Sequence, residues 1–431
     1  ELGKYLDEEA VARVDAVRAE SPRETMAGIF VQSEEQRVYP AGELAIPIVG
    51  GVDPDENGTF GIEYLYDEVM TGKAGSTTSE KGAGRYGTIS VGDFEVDPAS
   101  EGYDVVLTID HRLQYVVEQA LVQHCEETGG NWATAVGSDP RTGEILFMGT
   151  ASKNEDGTCS VPNYNAALIK TFEPGSVMKA VTVAAAVDQL GINRNTTYDV
   201  PRSLQVGDVT FTQSHDFEPA PYPLMDILAN SMNIGTMLMA RDLGAESLYG
   251  YMKAFGIGEP TGIDFKGEAT GTLRDWTEWY DSNMGSIPIG QGVTTNAVQI
   301  LSAYNAIAND GLFVSPKLVS ALVSPDGSEI LTEPQTSDRA VSSETADEVT
   351  AMLEAVVDYG TGQAAAIPGY NVAGKTGTAW KVYDYGDGRS GYGEDGARRY
   401  TVTFAGFVLA ENFSSRWWLS LTNRNRIRPL V

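Results

Sequence analysis

Three short sets of residues in this sequence carry groups able to do nucleophilic chemistry. The first is Ser176 and Lys179, in the run Phe172-Glu173-Pro174-Gly175-Ser176-Val177-Met178-Lys179. A spacing of three puts two side chains on one face of a helical turn. A serine hydroxyl is a poor nucleophile until a base beside it takes its proton, and a lysine is such a base only when burial disfavours its charged form. Residues 180–187 are small or apolar on nearly every side, which reads as a buried helix. Pro174 and Gly175 mark its start, so Ser176 is expected at the helix N-terminus, where backbone N–H groups face developing negative charge. Taken alone, the same pattern also describes a core helix with a snorkelling lysine.

Two further sets follow in order: Ser231-Met232-Asn233, then Lys375-Thr376-Gly377-Thr378. Ser152-Lys153-Asn154 repeats the second pattern but precedes the helix and is out of order. The succession Ser-x-x-Lys, Ser-x-Asn, Lys-Thr-Gly is a signature of serine β-lactamases and penicillin-binding proteins. With it, the sequence resembles a class B penicillin-binding protein over nearly its whole length. Further likeness lies in Arg37-Val38-Tyr39-Pro40-Ala41-Gly42, in residues 61–67 and in Ile289-Gly290-Gln291-Gly292. The resemblance implies an α+β fold of the penicillin-binding, serine β-lactamase-like type, a five-stranded antiparallel sheet flanked by helices, over residues 98–431. Residues 1–97 would form a smaller N-terminal pedestal domain.

The resemblance also implies roles. Ser176 is the nucleophile toward the D-Ala-D-Ala bond of a peptidoglycan stem peptide, and Lys179 its general base. Ser231 relays a proton to the leaving D-alanine, and Asn233 holds the acyl-chain amide. Lys375 faces the terminal carboxylate, helped by the hydroxyls of Thr376 and Thr378, while Gly377 lets substrate backbone lie against the strand. The backbone N–H groups of Ser176 and Thr378 make the oxyanion hole. An amine of a second stem then resolves the acyl-enzyme into a crosslink, and β-lactams acylate the same serine. No cofactor is implied. A membrane glycosyltransferase and other proteins of the division or elongation machinery are the partners expected of such an enzyme, with the division type slightly favoured. The alternatives are a D,D-carboxypeptidase or β-lactamase, in which water replaces the amine, and a non-catalytic sensor or scaffold. No segment matches the glutamate-bearing loop that activates water in class A β-lactamases, and nothing resembles a glycosyltransferase domain.

Composition narrows the classes. A net charge of −30 over 431 residues argues against a nucleic-acid partner, since phosphate is repelled. With 42% hydrophobic residues the chain is globular. No apolar run approaches the roughly 20 residues needed to span a bilayer. The chain starts at Glu1, and class B enzymes carry an N-terminal membrane helix. The resemblance therefore implies the extracytoplasmic part of an anchored protein, its anchor absent from this chain. Neither the three histidines nor the cysteine spacing suggests a metal site. Cys125 and Cys159, the only cysteines, are either a disulfide of an exported protein or two small buried residues.

The elements that must position these groups are legible in outline. Residues 7–19 are a helical candidate, and 76–85 a small, polar, exposed loop. Residues 103–109 read as a strand, Asp110 as the cap of a helix with apolar residues at helical spacing, and 134–137 with 144–148 as a hairpin across a turn at 139–143. Helices are expected at 245–255 and 346–359, the latter ending at Gly360. Strands are expected at 371–380, 400–408 and 417–422, with residues 382–399 as a flap beside the site. The terminal residues 423–431 do not read as the covering helix the family usually has.

Overall fold

The computed structural model describes residues 8–20, 37–79, 94–213, 216–381, 383–384, 390–391, 399–409 and 419–424. Asp110 caps as the sequence predicts. Its carboxylate accepts the N–H of Arg112 at 2.8 Å and of Leu113 at 3.2 Å. Helix α1, His111–Thr128, runs from there to a left-handed Gly129. Strand β1, Trp132–Ser138, and strand β2, Ile145–Lys153, form the predicted hairpin, and the two-residue β3, Cys159–Ser160, pairs with the end of β2. The helical half follows: α2, Lys179–Leu190; α3, Leu224–Ala229; α4, Asn233–Leu243; α5, Ala245–Ala254; α6, Ala297–Ala308; and α7, Ser343–Asp358. Strands β4, Asn371–Trp380, β5, Tyr400–Leu409, and β6, Leu419–Arg424, complete the set.

The main sheet is antiparallel throughout, in the order β4, β5, β6, β1, β2, β3. It is the expected five-stranded sheet with β3 added at one edge. Because successive side chains on a strand point to opposite faces, each strand feeds two cores. Ala133, Ala135, Phe147 and Ala151 pack beneath α1 with Leu121, Cys125 and Cys159. Val136, Met148, Ala373, Ala405 and Phe407 join the larger core on the opposite face. Gly149 sets the approach of α1, since a Cβ there would come within 2.9 Å of the Leu121 side chain. On the other face α2 is enclosed by α3, α4, α5 and α7, which is why it is apolar all round.

Local chemistry moves some boundaries. Helix α7 starts three residues earlier than its apolar pattern suggests because the Ser342 hydroxyl accepts the Thr345 N–H at 3.2 Å. The expected loop over 76–85 instead opens with a strand, Ser76–Ser79, paired to Phe94–Asp97. Thr77 and Thr78 are β-branched and suit a strand despite their polarity. The rest of that loop lies outside the described residues. So does most of the expected flap, of which residues 383–384 pair with 390–391, and so does the chain after 424. Toward the N-terminus, a helix covers Glu8–Glu20. Ala45, Ile48 and Ile62 share the larger core. The buried carboxylate of Glu118 on α1 accepts the N–H of Ala45 at 3.1 Å and the Gln114 side-chain amide at 2.7 Å.

Cys125 of α1 and Cys159 of β3 are joined in a disulfide, their Cα atoms 6.1 Å apart and both side chains buried. The bridge closes a loop with a sequence separation of 34 residues, which on the chain-entropy model stabilises the fold by about 3 to 4 kcal/mol. Urea unfolding of wild type with and without reductant, and of Cys159→Ser, is expected to show that loss. Equal midpoints for all three would leave the bridge without a stabilising role.

Candidate active site

Ser176 lies in a 3-10 turn, Gly175–Met178, and α2 begins at Lys179. The serine is therefore one turn ahead of the α-helix, not in its first turn as the sequence suggests. The winding is tight because neighbours hold it on both sides. Gly175, left-handed at φ 59°, donates its N–H to the Gly290 carbonyl at 2.9 Å. The buried Tyr304 hydroxyl donates to the Val177 carbonyl at 2.8 Å. The Glu173 carboxylate accepts the Gly292 N–H at 2.8 Å. In a 3-10 turn, residues three apart eclipse one another, which brings Ser176 and Lys179 onto one line more closely than an α-turn would. Ser176 stays partly exposed while Val177, Met178 and Lys179 are buried.

The Lys179 amine has no exposure to solvent. It donates to the Ser231 carbonyl at 2.7 Å and to Asn233 Oδ1 at 2.6 Å, with Ser231 Oγ at 3.1 Å. Burial, seconded by the charge of Lys375, pushes its pKa well below the ordinary lysine value. A neutral amine has two N–H donors and one lone pair. Two carbonyl oxygens take the donors, and the lone pair is left for a hydroxyl proton. Ser231 presents its carbonyl from a left-handed backbone, φ 54°, a conformation costly for a residue with a Cβ. It is the turn between α3 and α4 that holds it there.

Strand β4 forms the facing wall and is an edge of the sheet. Lys375 is wholly buried, donates to the Thr376 carbonyl at 3.0 Å, and is pushed by burial down to about 7. Gly377 is required by closeness: a Cβ there would lie 2.9 Å from the Pro174 carbonyl oxygen and 3.3 Å from the Val177 nitrogen. Thr378 and the partly exposed Thr376 face the open side. All three sets thus meet at one cleft, with the Ser176 turn against β4 and Lys179 against the Ser231 turn. Among the described residues no cluster of three or more potential metal ligands occurs.

Sequence reasoning missed four supports. The Gln213 side chain accepts the N–H of Asn233 at 2.6 Å and of Ile234 at 3.3 Å, capping α4 from 20 residues upstream. Nothing local announces such a cap. Tyr304 and Glu173 hold the serine turn, and Thr361 receives the Thr376 hydroxyl at 2.9 Å. Asn296 and Gln299, which start the helix bearing Tyr304, form a capping box. That signature was readable from their spacing.

An antiparallel sheet between helical layers, with these three sets at one edge strand, defines the penicillin-binding and serine β-lactamase-like class of proteins. A family model described as the penicillin binding protein transpeptidase domain matches residues 133–422. The chain belongs to that family, in its class B branch. It is 36% identical to penicillin-binding protein PbpB of Mycobacterium tuberculosis over 89% of this chain and 57% of the relative. It is 27% identical to peptidoglycan D,D-transpeptidase FtsI of Escherichia coli over 83% and 59% respectively. The chain thus spans less than two-thirds of these relatives' length. A crystal structure of penicillin binding protein 3 from M. tuberculosis complexed with aztreonam superposes with a TM-score of 0.79 at 33% identity, covering 92% of this chain and 85% of that one.

Burying Lys375 costs stability, with a sign that is testable. Its folded pKa, about 7, lies below the ordinary 10.5. The unfolded chain therefore binds more protons between those values, and stability rises with pH across that window. Below about 7 the cost is present in full. Wild type is expected to gain up to about 1.4 kcal/mol per pH unit from this group, and Lys375→Met to lack that gain. Urea midpoints at pH 7 and 9.5 measure the difference. Parallel pH trends in the two proteins would contradict the assignment.

Proposed function

We propose that this chain is the catalytic part of a peptidoglycan D,D-transpeptidase that works through a Ser176 acyl-enzyme. One observation carries the reading: a solvent-free Lys179 amine bonded to Ser231 and Asn233, one eclipsed turn from a partly exposed serine. Lys179 takes the Ser176 proton as the hydroxyl attacks the carbonyl of the penultimate D-alanine. The N–H groups of Ser176 and Thr378 receive the oxyanion. Ser231 returns a proton to the departing D-alanine nitrogen, and Asn233 holds the acyl-chain amide. Lys375, Thr376 and Thr378 bind the terminal carboxylate. The amine of a second stem then attacks the ester, Ser176 leaves with its proton restored, and the crosslink forms.

The names of the relatives support this chemistry, and the aztreonam complex of a neighbour supports β-lactams as covalent inhibitors here. We place the reaction at the extracytoplasmic face of the bacterial membrane, with residues 1–97 as pedestal and 98–431 as transpeptidase domain. The division septum is the favoured setting, since the pedestal motifs lean toward the division type. A membrane glycosyltransferase supplying strands is the natural partner. Among the described residues no helix is long and apolar enough to cross a membrane.

Fluorescent penicillin tests the reading directly. Wild type is expected to form a stable adduct, while Ser176→Ala and Lys179→Ala form none within the same time. Rapid release of label would instead indicate a β-lactamase, and an unlabelled wild type a non-catalytic scaffold. Near-normal labelling of Lys179→Ala would remove the general-base role.

A further inference from the structure

The loop between α7 and β4 places one more hydroxyl at the cleft. Thr361 is exposed and sits on this loop, where the Thr376 hydroxyl donates to its Oγ1 at 2.9 Å. Its backbone is pinned on the other side. The Thr361 N–H donates to the Ala229 carbonyl at 3.0 Å, and Gly360 packs so closely that a Cβ there would meet that same oxygen at 2.3 Å. Ala229 ends α3, two residues ahead of Ser231. Thr361 is therefore fixed both to the Lys-Thr-Gly strand and to the turn that carries Ser231.

Resting on the reading of Ser176 as the acylated serine, we infer that Thr361 is a substrate-binding residue of the carboxylate end of the cleft. The chemistry follows from counting protons. Two hydroxyls bonded to each other use one proton between them, and the other has no acceptor among the described residues. An entering carboxylate has two oxygens and about four lone-pair sites. It accepts the unused Thr361 proton, and Thr376 turns its own proton from Thr361 to the second oxygen, so both hydroxyls become donors to charge. Such charge-assisted bonds are about twice as strong as the neutral pair they replace. Lys375 supplies the charge behind them. The ligand class is a terminal carboxylate, on a stem peptide or a β-lactam, and the hydroxyl pair is a preformed seat for it.

Stopped-flow acylation by a carboxylate-bearing penicillin, resolved into its binding constant and its first-order acylation constant, tests this. Thr361→Val keeps the shape and the backbone bond to Ala229 and removes the hydroxyl. It is expected to weaken binding about ten-fold and leave the first-order constant within about two-fold, with thermal midpoint unchanged. Thr361→Ser, which restores the hydroxyl, is expected to recover most of the loss. Wild-type binding in Thr361→Val would overturn the inference. So would a fall confined to the first-order constant, which marks a merely structural loop, or a Thr361→Ser variant as impaired as Thr361→Val. Failure of wild type itself to acylate would sink the reading of Ser176 instead.

Discussion

The site depends on keeping an amine dry. In water a lysine is protonated at any physiological pH and accepts nothing. Here α2 is walled in by four helices, and the serine turn ahead of it packs on the edge strand, so the Lys179 nitrogen meets no solvent, and desolvation does what no sequence-adjacent group could do. The cost is borne by the rest of the fold: a long polar side chain occupies volume that a methionine would fill more favourably. Proteins accept such destabilisation where chemistry requires it. The large apolar core on this face of the sheet is what makes the exchange sustainable.

A dry amine also needs partners that do not favour its charge too strongly. Carboxylates would restore the proton. Its two closest acceptors are instead a backbone carbonyl and an amide oxygen, both neutral. They orient the nitrogen without cancelling its desolvation. Delivering that carbonyl forces Ser231 into a left-handed backbone, and the strain is held by bonds on either side. The Met232 N–H returns to Ile227 at 2.8 Å, and Gln213 anchors the start of α4. Strain concentrated at a functional turn and over-determined by its surroundings is a recurring arrangement.

What the sequence revealed and what it hid divide along a physical line. Groups close together in sequence had legible positions: Ser176 with Lys179, Ser231 with Asn233, the Lys375–Thr378 strand, the Asp110 cap and the β1–β2 hairpin. Strand β4, expected over 371–380, covers Asn371–Trp380, and the Gly-, Asp- and Tyr-rich stretch after it marks its end. Supports that act across the fold were not legible. Gln213, Tyr304 and Thr361 are ordinary residues in unremarkable windows, and only tertiary proximity gives their polar atoms a task. The 3-10 winding at Ser176 was hidden for the same reason, since the Gly290 carbonyl and the Tyr304 hydroxyl that tighten it lie far along the chain. The disulfide stood between: its residues were evident, but its closure depended on α1 and β3 lying side by side.

The two lysines are better understood as one system than as two. Both are buried, and the charge of Lys375 adds to the forces that keep Lys179 neutral. Interacting sites titrate together, so a proton on one is paid in repulsion at the other. Burial pushes Lys375 down to about 7 and Lys179 well below the ordinary lysine value, and on the proposed reading Lys375 is the amine that meets the substrate carboxylate. On the proposed mechanism identical side chains take opposite tasks, Lys179 as the base and Lys375 as the partner of the carboxylate. Exchanging either environment, not either residue, would exchange the roles. If that mechanism holds, changes in packing around α2, far from any contact with substrate, act on catalysis through the protonation of Lys179, whereas changes along β4 act through the binding of the carboxylate.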